Sequence, residues 1–280
     1  MIQDSSLSVS QACVALEVTR SGYYSWKNAE PPPDPDREFR MAIQDVALEF
    51  PGYGYRRIAK ALRRKQVVIN HKKVLRLMRE ENILCKRKSF KPHTTNSNHD
   101  YPLYPNLTKD LVVTRINQVW VSDITHIEIG DGYVYLAVII ERYSRKCIGW
   151  ELSRRIDTDL ALNSLNMAIA NREVFGLKGL IHHSDRGVQY ASIKYVERVQ
   201  EVGMVVSMTE SGNPRENAYA ESFMKTLKVE EVYLKEYRTF DEAYNNIQHF
   251  IEDVYNAKRL HSSIGYKPPN EMEAEVLNIR

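Results

Sequence analysis

Three carboxylates of this chain have the type and setting to do chemistry. Asp123 lies in WVSDITHIEI, and by the two-residue period of a strand it shares a face with Val119, Val121, Ile127 and Ile129. Strands are depleted in aspartate and an unpaired buried carboxylate is expensive. The position therefore implies a bound cation or, as the plainer reading of this residue alone, a structural ion pair. Asp185 follows the apolar run Gly179-Leu180-Ile181 in HHSDRGVQY, in the turn past a strand's carboxyl end, where open sheets put their ligand sites. An aspartate before Arg186-Gly187 is equally an ordinary turn-former that bonds its own backbone. Glu221 is on a helix whose start is signalled by Asn213 and Pro214. Asn217, Lys225 and Lys228 share its face, an arrangement that a solvated Glu–Lys pair would also explain. Taken together, a strand, a turn and a helix can deliver three hard oxygen donors to one point. Such donors suit Mg²⁺ or Mn²⁺, and two such ions ~4 Å apart support an in-line displacement at phosphorus.

The charge distribution says what such a site would act on. Residues 1–110 hold 19 Lys and Arg against 12 Asp and Glu, whereas residues 111–280 hold 20 against 24, so a net +3 chain is +7 followed by −4. Within residues 52–91 the balance is 14 basic to 2 acidic. That density favours a polyanion, because each neutralised phosphate releases condensed counterions. At 280 residues and 43% hydrophobic the chain can bury a sizeable core. No apolar run approaches the ~20 residues of a membrane span, and Met1 to Ser10 mixes polar and charged residues where a signal peptide has an apolar block. A cytoplasmic, nucleoid-associated location is expected. Cys13, Cys85 and Cys147 are odd in number, far apart and without a CxxC pair, which argues against a disulfide framework or a cysteine-rich zinc site.

The elements that must position these residues follow from periodicity. Ser8 to Trp26 reads as two short helices with a turn at Thr19-Arg20-Ser21-Gly22. Pro31-Pro32-Pro33-Asp34-Pro35 reads as a semi-rigid spacer, with a new element near Asp36. Ile58, Ala61 and Leu62, then Val74, Leu75, Leu77 and Met78, recur at helical spacing, with Asn70 as N-cap of the second helix. This pair carries Arg56, Arg57, Arg63, Arg64, Lys72, Lys73 and Arg76, and suggests a helix-turn-helix DNA reader; a solvated basic face on a helical hairpin is the bland alternative. Lys86-Arg87-Lys88-Ser89-Phe90-Lys91 and the polar run through His99 lack periodicity and read as linker. Beyond Leu111, strands are expected at 118–129, 133–141, 145–152, 179–182 and 204–208, with helices at 158–173, 193–202, 214–229 and 240–256. The order β-β-β-α-β-α-β-α gives an α/β fold, a ribonuclease H-like mixed five-stranded sheet flanked by helices and preceded by a small helical DNA-binding region. The expected divisions are 1–30 (short helical region), 36–91 (helix-turn-helix-like), 92–112 (linker) and 113–280 (catalytic core with a helical extension).

Six blocks in order, RSGYYSW at 20–26, YGYRRIAKAL at 53–62, WVSDIT at 120–125, HSDRGVQY at 183–190, ENAYAESFMKTLK at 216–228 and YNAKRLHSSIGYKPP at 255–269, resemble the transposases of the insertion sequence three family. These belong to the larger group of integrases with a D, D, E catalytic core. The 35 residues between Asp185 and Glu221 are the interval that family uses. The resemblance spans nearly the whole chain. It implies that Asp123, Asp185 and Glu221 are a catalytic, metal-binding triad served by two Mg²⁺ or Mn²⁺ ions. It further implies that His183, Gln189, Asn217, Lys225 and Lys228 sit in motifs facing metal and DNA, with His183 orienting Asp185 or DNA, because Mg²⁺ prefers oxygen. Lys225, Lys228, Arg186 and the 52–91 block would hold phosphate backbones. Glu216 stands where the family has Asp, a chemically close exchange. The implied partners are double-stranded DNA, as terminal inverted repeats and target, other copies of the chain, and the upstream reading-frame product to which family members are typically fused. Two rivals remain at this level: a nuclease with the same triad that never joins strands, and a DNA-binding regulator that has lost catalysis.

Overall fold

The computed structural model describes residues 8–29, 34–85, 101–210 and 214–278. Pro31 to Pro33 of the spacer, the basic run from Lys86 to Lys91, the polar run through His99 and the cap residue Asn213 lie outside the described residues. Two compact units result, Met1–Met41 and Ala42–Arg280.

In the first unit, α1 (Val9–Ala15) and α2 (Arg20–Asn28) are the two short helices expected. The turn between them falls earlier than Thr19–Gly22, because Thr19 Oγ1 accepts the Gly22 amide at 3.0 Å and so makes Thr19 the cap of α2. The chain reverses instead through Glu17, whose φ of 54° is left-handed. α3 (Arg37–Glu49) begins near Asp36 in the first unit and continues into the second, where Ile43 and Val46 are buried.

In the second unit, α4 (Tyr55–Arg64) and α5 (His71–Glu80) form the basic hairpin, with the Asn70 side chain accepting the Lys72 amide at 2.8 Å as expected of its cap. Ile58, Ala61, Leu62, Val74, Leu77 and Met78 are buried between them, and Leu75 is half-buried.

The strands are β1 (Val119–Ile129), β2 (Gly132–Glu141), β3 (Cys147–Ser153), β4 (Ile181–Ser184) and β5 (Val205–Met208), in the order β3-β2-β1-β4-β5. β1, β2 and β3 pair antiparallel, and β1, β4 and β5 parallel. This is the expected ribonuclease H-like sheet. β4 begins two residues later than the apolar run suggested, because Gly179 takes a φ of +78° and donates its amide to Gly203, placing it in a turn.

β1 is buried on both sides. Its odd residues Val119, Val121, Ile127 and Ile129 pack with Ala220, Phe223, Met224 and Leu227 of α9 (Ala218–Glu230). Its even residues Trp120 and Ile124 face α6 (Thr158–Arg172, capped by Asp157) and α8 (Ile193–Glu201), with the one-turn α7 (Val188–Ala191) between β4 and α8. A single helix expected over 240–256 is α10 (Phe240–His249) widening into a π-helix, Phe250–Asn256. The wider turn brings Asn256 against edge strand β3, where its amide exchanges two hydrogen bonds with the Cys147 backbone, at 3.0 and 2.8 Å. A further helix, α11 (Pro269–Asn278), is anchored by buried Glu273, which accepts from Arg172 at 2.6 Å and from Ser144 Oγ at 2.7 Å.

Gly149 is where α6 crosses β3: a Cβ there would lie 2.2 Å from the Ser164 carbonyl oxygen and 2.8 Å from Ala168 Cβ. Gly149→Ala is expected to destabilise the chain by about 1–3 kcal/mol through overpacking, read as a lower midpoint with unchanged slope in urea unfolding.

Candidate active site

Asp123 occupies the apolar, α9-facing side of β1 and is half-buried there. Its Oδ1 accepts the Ile124 amide at 2.9 Å, one bond for a carboxylate with room for several. Burial first and the charge of Asp185 next push its pKa up to about 8; Glu221 adds to the rise, while the Ile124 amide and Lys228 oppose it. The three carboxylates therefore lie within electrostatic reach of one point. Topology explains the first approach: β1 pairs parallel with β4, Val121 opposite His183, and two more residues carry the chain to Asp185.

Asp185 Oδ1 accepts the Gly187 amide at 2.9 Å, so the turn-forming role read from the sequence is realised. Gly187 is needed for that closeness, since a Cβ would stand 3.0 Å from Asp185 Oδ1 and 3.2 Å from Gln189 Oε1. Gln189 thus borders the carboxylate from α7. Arg186 is half-buried, and its Nε donates to the Thr209 carbonyl at 2.6 Å, tying the turn to the end of β5.

Glu221 is exposed on the first turn of α9, and burial raises its pKa. Two residues decide where that helix starts. Asn217, buried at 6% exposure, donates Nδ2 to the Ser122 carbonyl at 2.8 Å, one residue from Asp123. Its Oδ1 is buried without a hydrogen-bond partner. Asn217, expected to contact DNA, is thus buried here with its side-chain amide tied to β1 at the start of α9. His183 differs similarly: instead of orienting Asp185 or DNA, its Nδ1 lies 2.9 Å from Ser207 Oγ and its Nε2 3.2 Å from the Glu216 carbonyl oxygen. Ser207 Oγ itself accepts the Leu107 amide at 2.9 Å, so its proton goes to Nδ1 and Nε2–H donates to Glu216. Burial holds the His183 pKa down to about 4, which keeps this neutral tautomer at physiological pH. Lys225 is exposed. Lys228 is half-buried, its pKa lowered by burial and partly restored by Asp123, so its charge faces the site rather than solvent alone.

The basic hairpin splits into two stripes. Arg56, Arg63, Lys72 and Arg76 are exposed, Arg76 pairing with Glu80 at 2.8 Å, and Lys73 is half-buried. Arg57 and Arg64, expected on DNA, instead face the C-terminal segment. Burial and then Arg259 lower the Arg57 pKa, its guanidinium lies 5.7 Å from the Tyr53 ring, and Arg64 Nη1 donates to Glu271 at 3.1 Å. Sequence reasoning missed this joint. Arg259 and Glu230, both buried, pair through two bonds of 2.8 and 2.7 Å, and the Leu260 amide donates to Tyr53 Oη at 2.7 Å. Its signal lay in YGYRRIAKAL and YNAKRLHSSIGYKPP, two blocks that prove to touch.

Among the described residues, no three His, Cys, Asp or Glu side chains are grouped tightly enough to hold a metal ion as they stand. The donor set nonetheless fits a hard divalent cation. Two of three converging carboxylates have raised pKa values, Asp123 has one amide donor, and Lys228 is the cation that lowers its pKa. No helix among the described residues is long and apolar enough to cross a membrane.

Comparison with known proteins places the chain among integrase-type relatives. Models described as "Integrase core domain" match residues 113–214 and 202–269, and one described as "HTH-like domain" matches 34–90. The chain is 34% identical over 261 residues to the "Insertion element IS600 uncharacterized 31 kDa protein" of Shigella sonnei, covering 92% of this chain and 95% of the relative. It is 37% identical over 233 residues to the "Transposase for insertion sequence element IS904" of Lactococcus lactis subsp. lactis (strain IL1403), covering 82% and 91%. To the "Transposase InsF for insertion sequence IS3A" of Escherichia coli (strain K12) it is 31% identical over 277 residues, covering 96% and 95%. Among solved structures, the HTLV-2 integrase catalytic core domain in complex with magnesium aligns with 15% identity and a TM-score of 0.41, over 56% of this chain and 96% of that one.

The raised Asp123 pKa carries a stability consequence. The penalty for its charge is absent below the ordinary aspartate range, grows as pH rises from about 4, and is complete above about 8. In metal-free buffer at pH 8, Asp123→Asn should melt about 2–4 °C above wild type, roughly 1 kcal/mol after solvent screening, with the gap closing towards pH 4. Added Mg²⁺ should raise the wild-type Tm and leave that of the variant in place, as followed by circular dichroism.

Proposed function

This chain belongs to the IS3 family of insertion-sequence transposases, and from that premise we propose that Asp123, Asp185 and Glu221 are its catalytic carboxylates for metal-dependent cleavage and transfer of DNA strands. The chain is a transposase of the integrase type, a polynucleotidyl transferase. What supports the residue assignment is that Asp185, just past the strand paired parallel with β1, and Glu221 both act electrostatically on Asp123, in a chain whose relatives match over nearly its whole length.

Two in-line displacements at phosphorus make up the reaction. In the first, water attacks the phosphodiester at the element's end, the P–O3′ bond breaks, and the 3′ hydroxyl is freed. In the second, that hydroxyl attacks a phosphodiester of another segment, forming one P–O bond as another breaks, so no external energy source is needed. Two Mg²⁺ or Mn²⁺ ions, when bound, activate the attacking oxygen and stabilise the leaving one. Asp123 and Asp185 would hold that pair from the sheet, and Glu221 would complete the donor set from α9. Asn217 and His183 keep Glu221 in place by pinning the turn before it. Lys225 and Lys228 line the same flank of α9 and neutralise backbone phosphates, and Arg186 adds positive charge beside Asp185.

Residues 36–91 bind the terminal inverted repeats through the outward stripe Arg56, Arg63, Lys72, Lys73 and Arg76. Residues 92–112 link them to the catalytic core at 113–280. Two or more copies bridge the two ends, and the upstream reading-frame product joins them as a fusion partner.

Wild type and Glu221→Gln, compared on duplexes carrying the element's ends with Mg²⁺ or Mn²⁺, test this reading. Cleavage and joining should fall about 10²–10³-fold in the variant, the loss of several kcal/mol of charge stabilisation, with DNA affinity retained. Undiminished joining in the variant would sink the triad, and cleavage without joining in the wild type would make the protein a nuclease.

A further inference from the structure

We propose that α1 and α2 form a second DNA-contacting helix-turn-helix, with α2 laid against duplex DNA through Arg20, Tyr24 and Lys27; this rests on the reading of the chain as a protein that works on DNA.

The geometry of the pair repeats that of the basic hairpin. α4 ends at a left-handed residue, Gln66 (φ 67°), and the next amide, Val67, donates back to the Leu62 carbonyl at 2.9 Å. α1 ends the same way: Glu17 has φ 54°, and the Val18 amide donates to Cys13 at 3.0 Å. In both pairs a side chain then caps the second helix, Asn70 for α5 and Thr19 for α2. Four residues, Leu16 to Thr19, separate the two N-terminal helices, the short turn such motifs use. Ala12, Cys13 and Tyr23 are buried and hold them together.

The surface chemistry of α2 then selects the ligand. Its sequence, RSGYYSWKN, contains two cations, no acid and side chains that donate hydrogen bonds at nearly every exposed position. At 100° per residue, Arg20, Tyr24 and Lys27 fall within about 60° of one another, and Ser21 and Asn28 lie together along one side of them. All five are exposed. A stripe of two cations around an aromatic, bordered by a hydroxyl and an amide, suits phosphates on either side of a groove, with the ring against sugar or base. Trp26, 73% exposed, lies on another side of the helix, so it is not part of the stripe. This element would give each copy a DNA-contacting helix in addition to those of the hairpin.

The whole chain is titrated with duplexes of element-end and unrelated sequence across a salt series. Arg20→Ala/Lys27→Ala should weaken binding to both on the order of tenfold and flatten the log–log salt dependence by about 2, with an unchanged melting curve. A fluorescent reporter gives the independent reading. Trp120 and Trp150 are buried, at 0% and 3% exposure, so in a Trp26→Phe/Tyr24→Trp chain position 24 supplies the solvent-exposed emission, and DNA should quench it. Wild-type affinity and salt slope in the double alanine variant, with unquenched emission, overturn the proposal while leaving the strand-transfer reading intact. Loss of self-association with DNA affinity preserved also overturns it and assigns the face to protein contact. Failure of the wild type to bind either duplex at low salt removes both readings together.

Discussion

The amide of Asn217 donates to the Ser122 carbonyl at 2.8 Å, and the imidazole of His183 reaches the Glu216 carbonyl oxygen at 3.2 Å. Between them these contacts pin the turn from which α9 departs, on the strand that carries Asp123 and next to the strand that delivers Asp185. A helix advances 1.5 Å and turns 100° per residue, so a start displaced by one residue would swing Glu221 to another flank. The apolar residues Ala220, Phe223, Met224 and Leu227 supply affinity between helix and sheet but little azimuthal precision, because dispersion contacts are individually weak and interchangeable. The two polar contacts supply direction. Both partners of each are buried or nearly so, where a broken hydrogen bond costs more than an exposed one.

Electrostatics at the site runs against stability. A carboxylate on a core-facing strand position, with two others nearby, is held near neutrality by burial and like charge, and Lys228 offsets part of that. The chain keeps an arrangement that is poor for the fold on its own and good for a hard divalent cation. Active sites commonly show this exchange of stability for chemistry. His182, behind the strand, shows the contrast: burial pushes its pKa down to about 3, its Nε2 meets Tyr195 Oη at 2.7 Å, and it belongs to the core.

At its other end α9 meets the joint between hairpin and core. Glu230 and Arg259 are buried together, and Gly52 lies so close that a Cβ would come 2.3 Å from Glu230 Cγ. A buried ion pair adds little net stability over apolar packing, but losing one partner strands the other, so such a pair specifies which surfaces meet. Tyr53, Arg57 and Arg64 are the hairpin's contributions. One helix, α9, thus bears a carboxylate of the proposed triad near its start and the anchor of the basic hairpin at its end.

The sequence by itself determined the order of the five strands, the helical hairpin before them and the capping role of Asn70, and it singled out the three carboxylates as candidates. Those features are local: they follow from hydrophobic period, cap chemistry and motif spacing within a few residues. It also placed Asp123 on the apolar face of β1 with Val119, Val121, Ile127 and Ile129, since strand alternation carries that information; that α9 covers this face came from the structure. Three further matters were decided by tertiary structure alone. Basic residues of α4 look alike in sequence, yet Arg57 and Arg64 turn to Arg259, Glu230 and Glu271 while Arg56 and Arg63 turn outward, because the partners lie some 200 residues away. Asn217 and His183 stood in motifs that suggested ligand contact, and their backbone partners became identifiable only when β1, β4 and the turn before α9 were adjacent. The widening of α10 into π turns has the same origin: the amide of Asn256 is drawn to unpaired backbone groups of an edge strand that its own helix does not contain. A sequence period records which side of an element is apolar. What meets a polar side chain on that element is set by chain closure, at a separation no local pattern encodes.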